Sequence, residues 1–141
     1  DLVSDLSWHI FKSKSSTTLY AKGHFKKSLK QALMHRLVVA PLMWEEPYQV
    51  DHIDGNGLDN RKSNLRRATH SQNQWNRKKQ KTNTSGFRGV SWESQTGMYR
   101  VVVMAHRKRV FSWRTPNKYA AALKYNEVVP SYHVQFCRLN H

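Results

Sequence analysis

Val50-Asp51-His52-Ile53-Asp54-Gly55-Asn56-Gly57 carries a short β-type run into a carboxylate, an imidazole and then a glycine-rich loop, and Asn64 and Asn73 follow His52 by 12 and 21 residues. Hydrolysis of a phosphodiester needs an activated water, a cation that offsets charge on the phosphorus oxygens, and help for the leaving oxygen. A strand, loop and helix bearing these residues can supply all three. Imidazole titrates close to neutral pH, which suits His52 to the work of a general base. The oxygens of Asp51 and Asn73 are hard donors, suited to one Mg²⁺ with Mn²⁺ as substitute, and less to Zn²⁺. Successive strand residues point to opposite faces, so a twist or bulge at the strand end is required before Asp51 and His52 can serve one centre.

Simpler readings compete. Asp54-Gly55-Asn56-Gly57 makes an ordinary turn, and a calcium loop fails because the carboxylates are not at alternate positions and no glutamate closes the twelfth. Asn60 and Asn64 taken singly read as turn or cap residues. His24, His35 and His70 read as structural or surface histidines, with His35-Arg36 a candidate for approaching a phosphate. The combination of Asp51, His52, Asn64 and Asn73 outweighs its parts.

Outward from this centre, residues 6–12 and 17–25 flank the polar stretch 13–16 as a hairpin. Residues 29–39 predict a helix, which Pro41 and Pro47 end. Residues 50–57 read as strand into loop and 58–63 as loop. A second helix begins near Thr69, a plausible cap, and runs through Trp75 into Arg77-Lys78-Lys79-Gln80-Lys81. The polar residues 82–86 mark a boundary, giving domains 1–82 and 83–141. Beyond it, residues 87–92, 98–104 and 108–113 are three β-type runs, followed by a helix over 117–129 in which Tyr119, Leu123 and either Tyr125 or Val128 recur at roughly helical spacing while Ala120, Ala121 and Ala122 allow close approach to a sheet.

The formal charge of +15 is uneven: residues 1–60 hold 7 basic and 7 acidic side chains, and residues 61–141 hold 17 basic against Glu93 and Glu127. The excess points to a polyanion partner. Five Trp, six Tyr and five Phe give the basic part enough apolar material to fold. One cysteine, Cys137, excludes an internal disulfide and a cysteine-rich zinc cluster and fits an intracellular, reducing setting. No run reaches the roughly 20 apolar residues that span a bilayer, so the chain reads as soluble. A first residue of Asp points to a missing or processed amino terminus.

Asp51-His52-Ile53-Asp54-Gly55-Asn56 together with Ser63-Asn64-Leu65 resembles the ββα-metal finger of HNH endonucleases of the phage and homing type, and Met34-His35-Arg36-Leu37-Val38 resembles the helix such domains carry ahead of it. The resemblance implies that His52 is the base, that Asp51 and Asn73 hold the metal, and that Asn64 orders the loop or orients the histidine, a role for which Asn60 competes. Ser85-Gly86-Phe87-Arg88-Gly89-Val90-Ser91-Trp92, Tyr99-Arg100 and residues 120–126 resemble an ethylene-response-factor (APETALA-type) DNA-binding domain over 83–129. That likeness implies a sheet in the major groove, with Arg88, Trp92, Arg100, Arg109 and Trp113 on DNA. Arg66, Arg67, Arg77, Lys78 and Lys79 extend the expected grip into the finger.

The expected fold class is therefore α+β: an N-terminal nuclease domain followed by a small three-stranded antiparallel sheet plus helix. The leading function is a Mg²⁺-dependent endonuclease on double-stranded DNA that leaves 5′-phosphate and 3′-hydroxyl ends, nicking as a monomer or cutting both strands as a homodimer. It is expected to be phage-encoded and to act in the bacterial host cytoplasm. A sequence-specific DNA-binding protein with an inactive finger is the chief alternative. An RNA-associated basic protein explains the charge but not the catalytic spacing.

Overall fold

The computed structural model describes residues 6–12, 18–26, 30–40, 48–79 and 82–141. The expected turn at 13–16, Pro41, Pro47, Gln80 and Lys81 lie outside the described residues. The chain is mixed α+β with three small antiparallel sheets and few helices. Two compact units divide it, Asp1–Asn73 and Gln74–His141, with the division nine residues ahead of the polar stretch that composition suggests. Among the described residues no helix is long and apolar enough to cross a membrane.

In the first unit, β1 (Leu6–Lys12) and β2 (Leu19–Phe25) pair antiparallel, as the flanking β-branched and aromatic residues predict. The expected helix over 29–39 is shorter than its pattern. Gln31–Leu33 forms β3, held by β2 in the register Lys22↔Leu33, and helix α1 spans only Met34–Val39, without a side-chain cap. Sheet pairing claimed the first turn of that pattern. After Tyr48 come β4 (Gln49–His52), a loop closed by a short 3-10 turn at Lys62–Asn64, β5 (Leu65–Ala68) and helix α2 (His70–Asn76).

The strand β5 escapes the sequence pattern because Arg66 and Arg67 sit in its middle. Its pairing with β4 runs Gln49↔Ala68, Val50↔Arg67, Asp51↔Arg66 and His52↔Leu65. Thr69 opens α2 as a capping box: its hydroxyl accepts from the Gln72 amide at 3.3 Å while Gln72 Oε1 accepts from the Thr69 amide at 2.8 Å. The loop is tied to β2 at Gly57, where any Cβ would collide with the Leu19 carbonyl.

The second unit is a meander of β6 (Val90–Glu93), β7 (Met98–Ala105) and β8 (Lys108–Thr115) against helix α3 (Lys118–Val128). Asn117 caps α3 by accepting from the amides of Tyr119 and Ala120. Val90, Val101, Val103, Ala121, Tyr125 and Val129 form the core. The apolar spacing of α3 misleads about its inner face: Ala121, Ala122 and Tyr125 are buried, whereas Tyr119 and Leu123 are exposed. Small alanines let the helix lie close to the sheet. The tail continues through helix α4 (Pro130–His133) to buried Phe136, and Asn140 bonds both Asn126 and the Arg88 backbone, which fixes the end of the chain.

Candidate active site

The ribbon of β4 and β5 with α2 behind it has the ββα order expected around Asp51 and His52. Both residues are buried, at 4% and 5% exposure. Their pairing continues without a bulge, so the two side chains leave the strand on opposite faces. The expected bulge is absent from that pairing. On one face Asp51 stands opposite Arg66, whose Nε donates to Asp51 Oδ2 at 2.8 Å in an ion pair almost closed to water. Two residues back on that same face, Gln49 Oε1 accepts from Asn73 Nδ2 at 2.7 Å. Asp51 and Gln49 therefore lie on one side of the ribbon, and Asn73 is tied to that side through its amide nitrogen.

On the other face His52 meets Tyr20, His35 and Asn60. Its ring stands edge-on to His35 with centroids 5.1 Å apart, and the Tyr20 ring lies 6.0 Å away. Its Nε2 lies 3.1 Å from Asn60 Oδ1. Asn60 Nδ2 donates to the Leu58 carbonyl, so its oxygen is the acceptor and Nε2 carries the proton.

Asn64 does not meet the His52 ring. Its oxygen accepts from the Asp54 amide, its nitrogen donates to Asp54 Oδ1 and the Asp59 carbonyl, and its backbone oxygen accepts from Ile53. It knits the loop together, and Asn60 is the residue that orients the histidine.

His35 is buried, and its Nδ1 has no hydrogen-bond partner among the described residues. Desolvation, helped by His52 and Arg36, lowers its pKa to about 4, so it is neutral at neutral pH. Its sequence signal was the pairing of His35 with Arg36 on a short helix, which gives no hint of contact with His52. Asp54 and Asp59 are held below the usual carboxylate range although desolvation alone would raise Asp54; backbone and side-chain bonds from Asn56 and Asn64 outweigh it, and for Asp59 the leading cause is the Arg61 side chain.

The expected DNA-contacting residues separate into several groups. Arg66 is committed to Asp51. Arg67 is exposed and lies over the Tyr48 ring at 3.2 Å. Arg77, Lys78 and Lys79 are exposed beyond the end of α2, with Lys79 donating to the Gly86 carbonyl. Arg88 is a structural tie: its guanidinium donates to the Trp75 and Arg77 carbonyls, closing the end of α2, so it does not belong to an open sheet face. This stops α2 short of the basic run expected to continue it.

In the sheet of the second unit Arg100 pairs across the strands with Ser91 and Arg114 on the open face. Trp113 pairs with core residue Val101, and Lys124 of α3 stands 6.0 Å over its ring. Trp92 packs against Tyr99 at 4.8 Å. Both indoles therefore belong to the helix-facing side, and the expectation that they share a face with Arg100 fails by register. Glu93 bridges Arg100 and Arg114, and the Arg114 guanidinium holds it down to about 2. Arg109 is exposed on the third strand.

A family model described as HNH endonuclease matches residues 32–75. Protein 3.8 of Escherichia phage T7 is 47% identical over 62 residues, covering 44% of this chain and 51% of that protein. The chain thus spans about half the length of the curated relative it matches. No solved structure matches. The likeness of residues 83–129 to an ethylene-response-factor domain finds no support in these comparisons.

Proposed function

We propose that this chain is a metal-dependent DNA endonuclease of the HNH homing type, with His52 as general base. The observation that carries the reading is the bond between His52 Nε2 and Asn60 Oδ1, which fixes the orientation and tautomer of the ring as a base requires. Tyr20 and His35 hold the ring, and Asn64 holds the loop that ends beside it. β4 stops at His52, so a phosphodiester lying across the strand end is within reach of groups from both faces.

Asp51 and Asn73 are the residues that would hold the metal. They offer hard oxygens on one face of the ribbon with no thiolate among them, which suits Mg²⁺ or Mn²⁺. When bound, such an ion supplies charge compensation at the phosphate oxygens and the leaving oxygen. The reading requires Arg66 to share or release the Asp51 carboxylate. In the second unit Arg100, Arg109 and Arg114 on the open sheet face would take DNA, with Arg77 and Lys78 adding phosphate contacts. The likeness to a phage protein supports action on DNA in an infected bacterial cytoplasm, by a nicking monomer or a double-strand-cutting dimer.

One observation favours the second reading, a DNA-binding protein with an inactive finger: the Asp51 carboxylate is held by Arg66. Incubation of supercoiled plasmid carrying the site with Mg²⁺, alongside His52→Ala and Asp51→Ala, separates the two. Relaxed or linear product from the parent and almost none from either variant is expected. Cleavage that survives both changes, or no cleavage with any divalent metal, sinks the nuclease reading.

A further inference from the structure

A cavity of about 440 Å³ opens beside β4, lined among others by Tyr20, His35, Arg36, Tyr48, Gln49 and Asn73. Its size lies within the range of small-molecule sites, which are mostly apolar with a few placed polar groups. Two independent observations point to an occupant. His35 is 6% exposed and its Nδ1 has no partner among the described residues, an arrangement that costs stability unless something arrives to bond it. The second is the character of the wall: two tyrosine rings, two side-chain amides and a histidine held neutral by burial, with Arg36 alone carrying charge. An isolated phosphate would call for several cations. Flat rings with neutral donors and acceptors suit the edge and face of a base.

We propose that this cavity is a subsite for one unpaired nucleobase of the bound DNA, recognised at its edge by His35 Nδ1 and the Gln49 amide and placed beside Asn73. The Arg67 guanidinium against the Tyr48 ring stiffens one wall, and the Gln49 to Asn73 bond fixes another. The inference rests on the nuclease reading, because the base so held belongs to a nucleotide next to the one being cut. A base drawn from the stack would bring the phosphate beside it to the end of β4.

The test uses the full chain with ¹⁵N-labelled histidine, titrated at neutral pH with each of the four deoxynucleoside 5′-monophosphates and with deoxyribose 5-phosphate as the baseless control. At least one nucleotide is expected to move the His35 ring nitrogen resonances with millimolar saturation, the control is expected to leave them in place, and Gln49→Ala is expected to weaken the response at least fivefold. The proposal is overturned if no nucleotide moves His35, if deoxyribose 5-phosphate moves it equally, or if Gln49→Ala changes nothing. Plasmid cleavage run in parallel keeps the two ideas apart: a cutting chain with a silent His35 loses only the subsite, while a chain that binds a base but never cuts loses the nuclease reading.

Discussion

His52 Nε2 and Asn60 Oδ1 stand 3.1 Å apart, and the orientation of that amide is set by its second bond to the Leu58 carbonyl. Asn60→Ala should lower the cleavage rate by about 10–100-fold, the usual effect of losing a group that orients a functional ligand or base. Its melting temperature should stay near that of the parent. Asn64→Ala should lose stability and activity together, since three loop bonds depend on that side chain. Rates at saturating DNA and thermal melts of both variants check this; equal melting losses would refute the division of labour.

Removal of Arg66 takes the guanidinium away from a buried carboxylate. Arg66→Gln is expected to destabilise by about 3–5 kcal/mol, as breaking one side of a buried pair does. Arg61→Gln, which removes a 79%-exposed partner of Asp59, should leave the urea midpoint close to that of the parent. Adding Asp51→Asn to Arg66→Gln should recover part of the loss, because both charges of the buried pair are then removed together. Urea midpoints of the four proteins measure the difference.

Acid should weaken the first unit before its carboxylates titrate. His35 falls to about 4 in the folded chain from an ordinary value of 6.5, first through desolvation and then through His52 and Arg36. Between those two values the unfolded chain binds a proton that the folded chain refuses. The stabilisation is therefore complete above 6.5 and lost as pH falls toward 4, amounting to on the order of 3 kcal/mol. His133, also lowered by desolvation, acts in the same direction in the second unit. Urea denaturation at pH 7, 5.5 and 4.5 should show this decline, and His35→Gln should flatten the part due to His35; an unchanged slope would count against it.

Arg100 and Arg109 should matter for holding DNA rather than cutting it. Each change to alanine is expected to weaken affinity and to lower the salt slope by about 1 if the lost contact is to phosphate. Cleavage at saturating protein should persist. Trp113→Ala should act through stability instead, since that ring lies on the helix-facing side of the sheet. Fluorescence anisotropy across a salt series, with melts of each variant, separates the two classes.

Much of this was readable from local pattern. The meander, its helix and the first hairpin follow period-2 runs and turn residues, and Thr69 with Gln72 announces α2. What escaped were features set by distant partners. β5 is hidden by its arginines, one of which is charge-matched to Asp51 across the ribbon. β3 borrowed helix-like sequence because β2 was there to pair with it. The faces of Trp92 and Trp113 depend on register, which a run of β-type residues does not disclose. Asp51, His52, Asn64 and Asn73 stood out by spacing, yet Tyr20, His35 and the choice of Asn60 over Asn64 needed three-dimensional contacts.

The props of His52 are drawn from Tyr20, His35 and Asn60, and Tyr20 precedes the segment that the nuclease family model covers. The matched stretch is thus no self-sufficient cassette. A recombination event or a protein engineer that moved residues 32–75 alone into a new host would transplant the reactive groups without one wall of the frame that aims them. The hairpin ahead of the motif would have to travel with it.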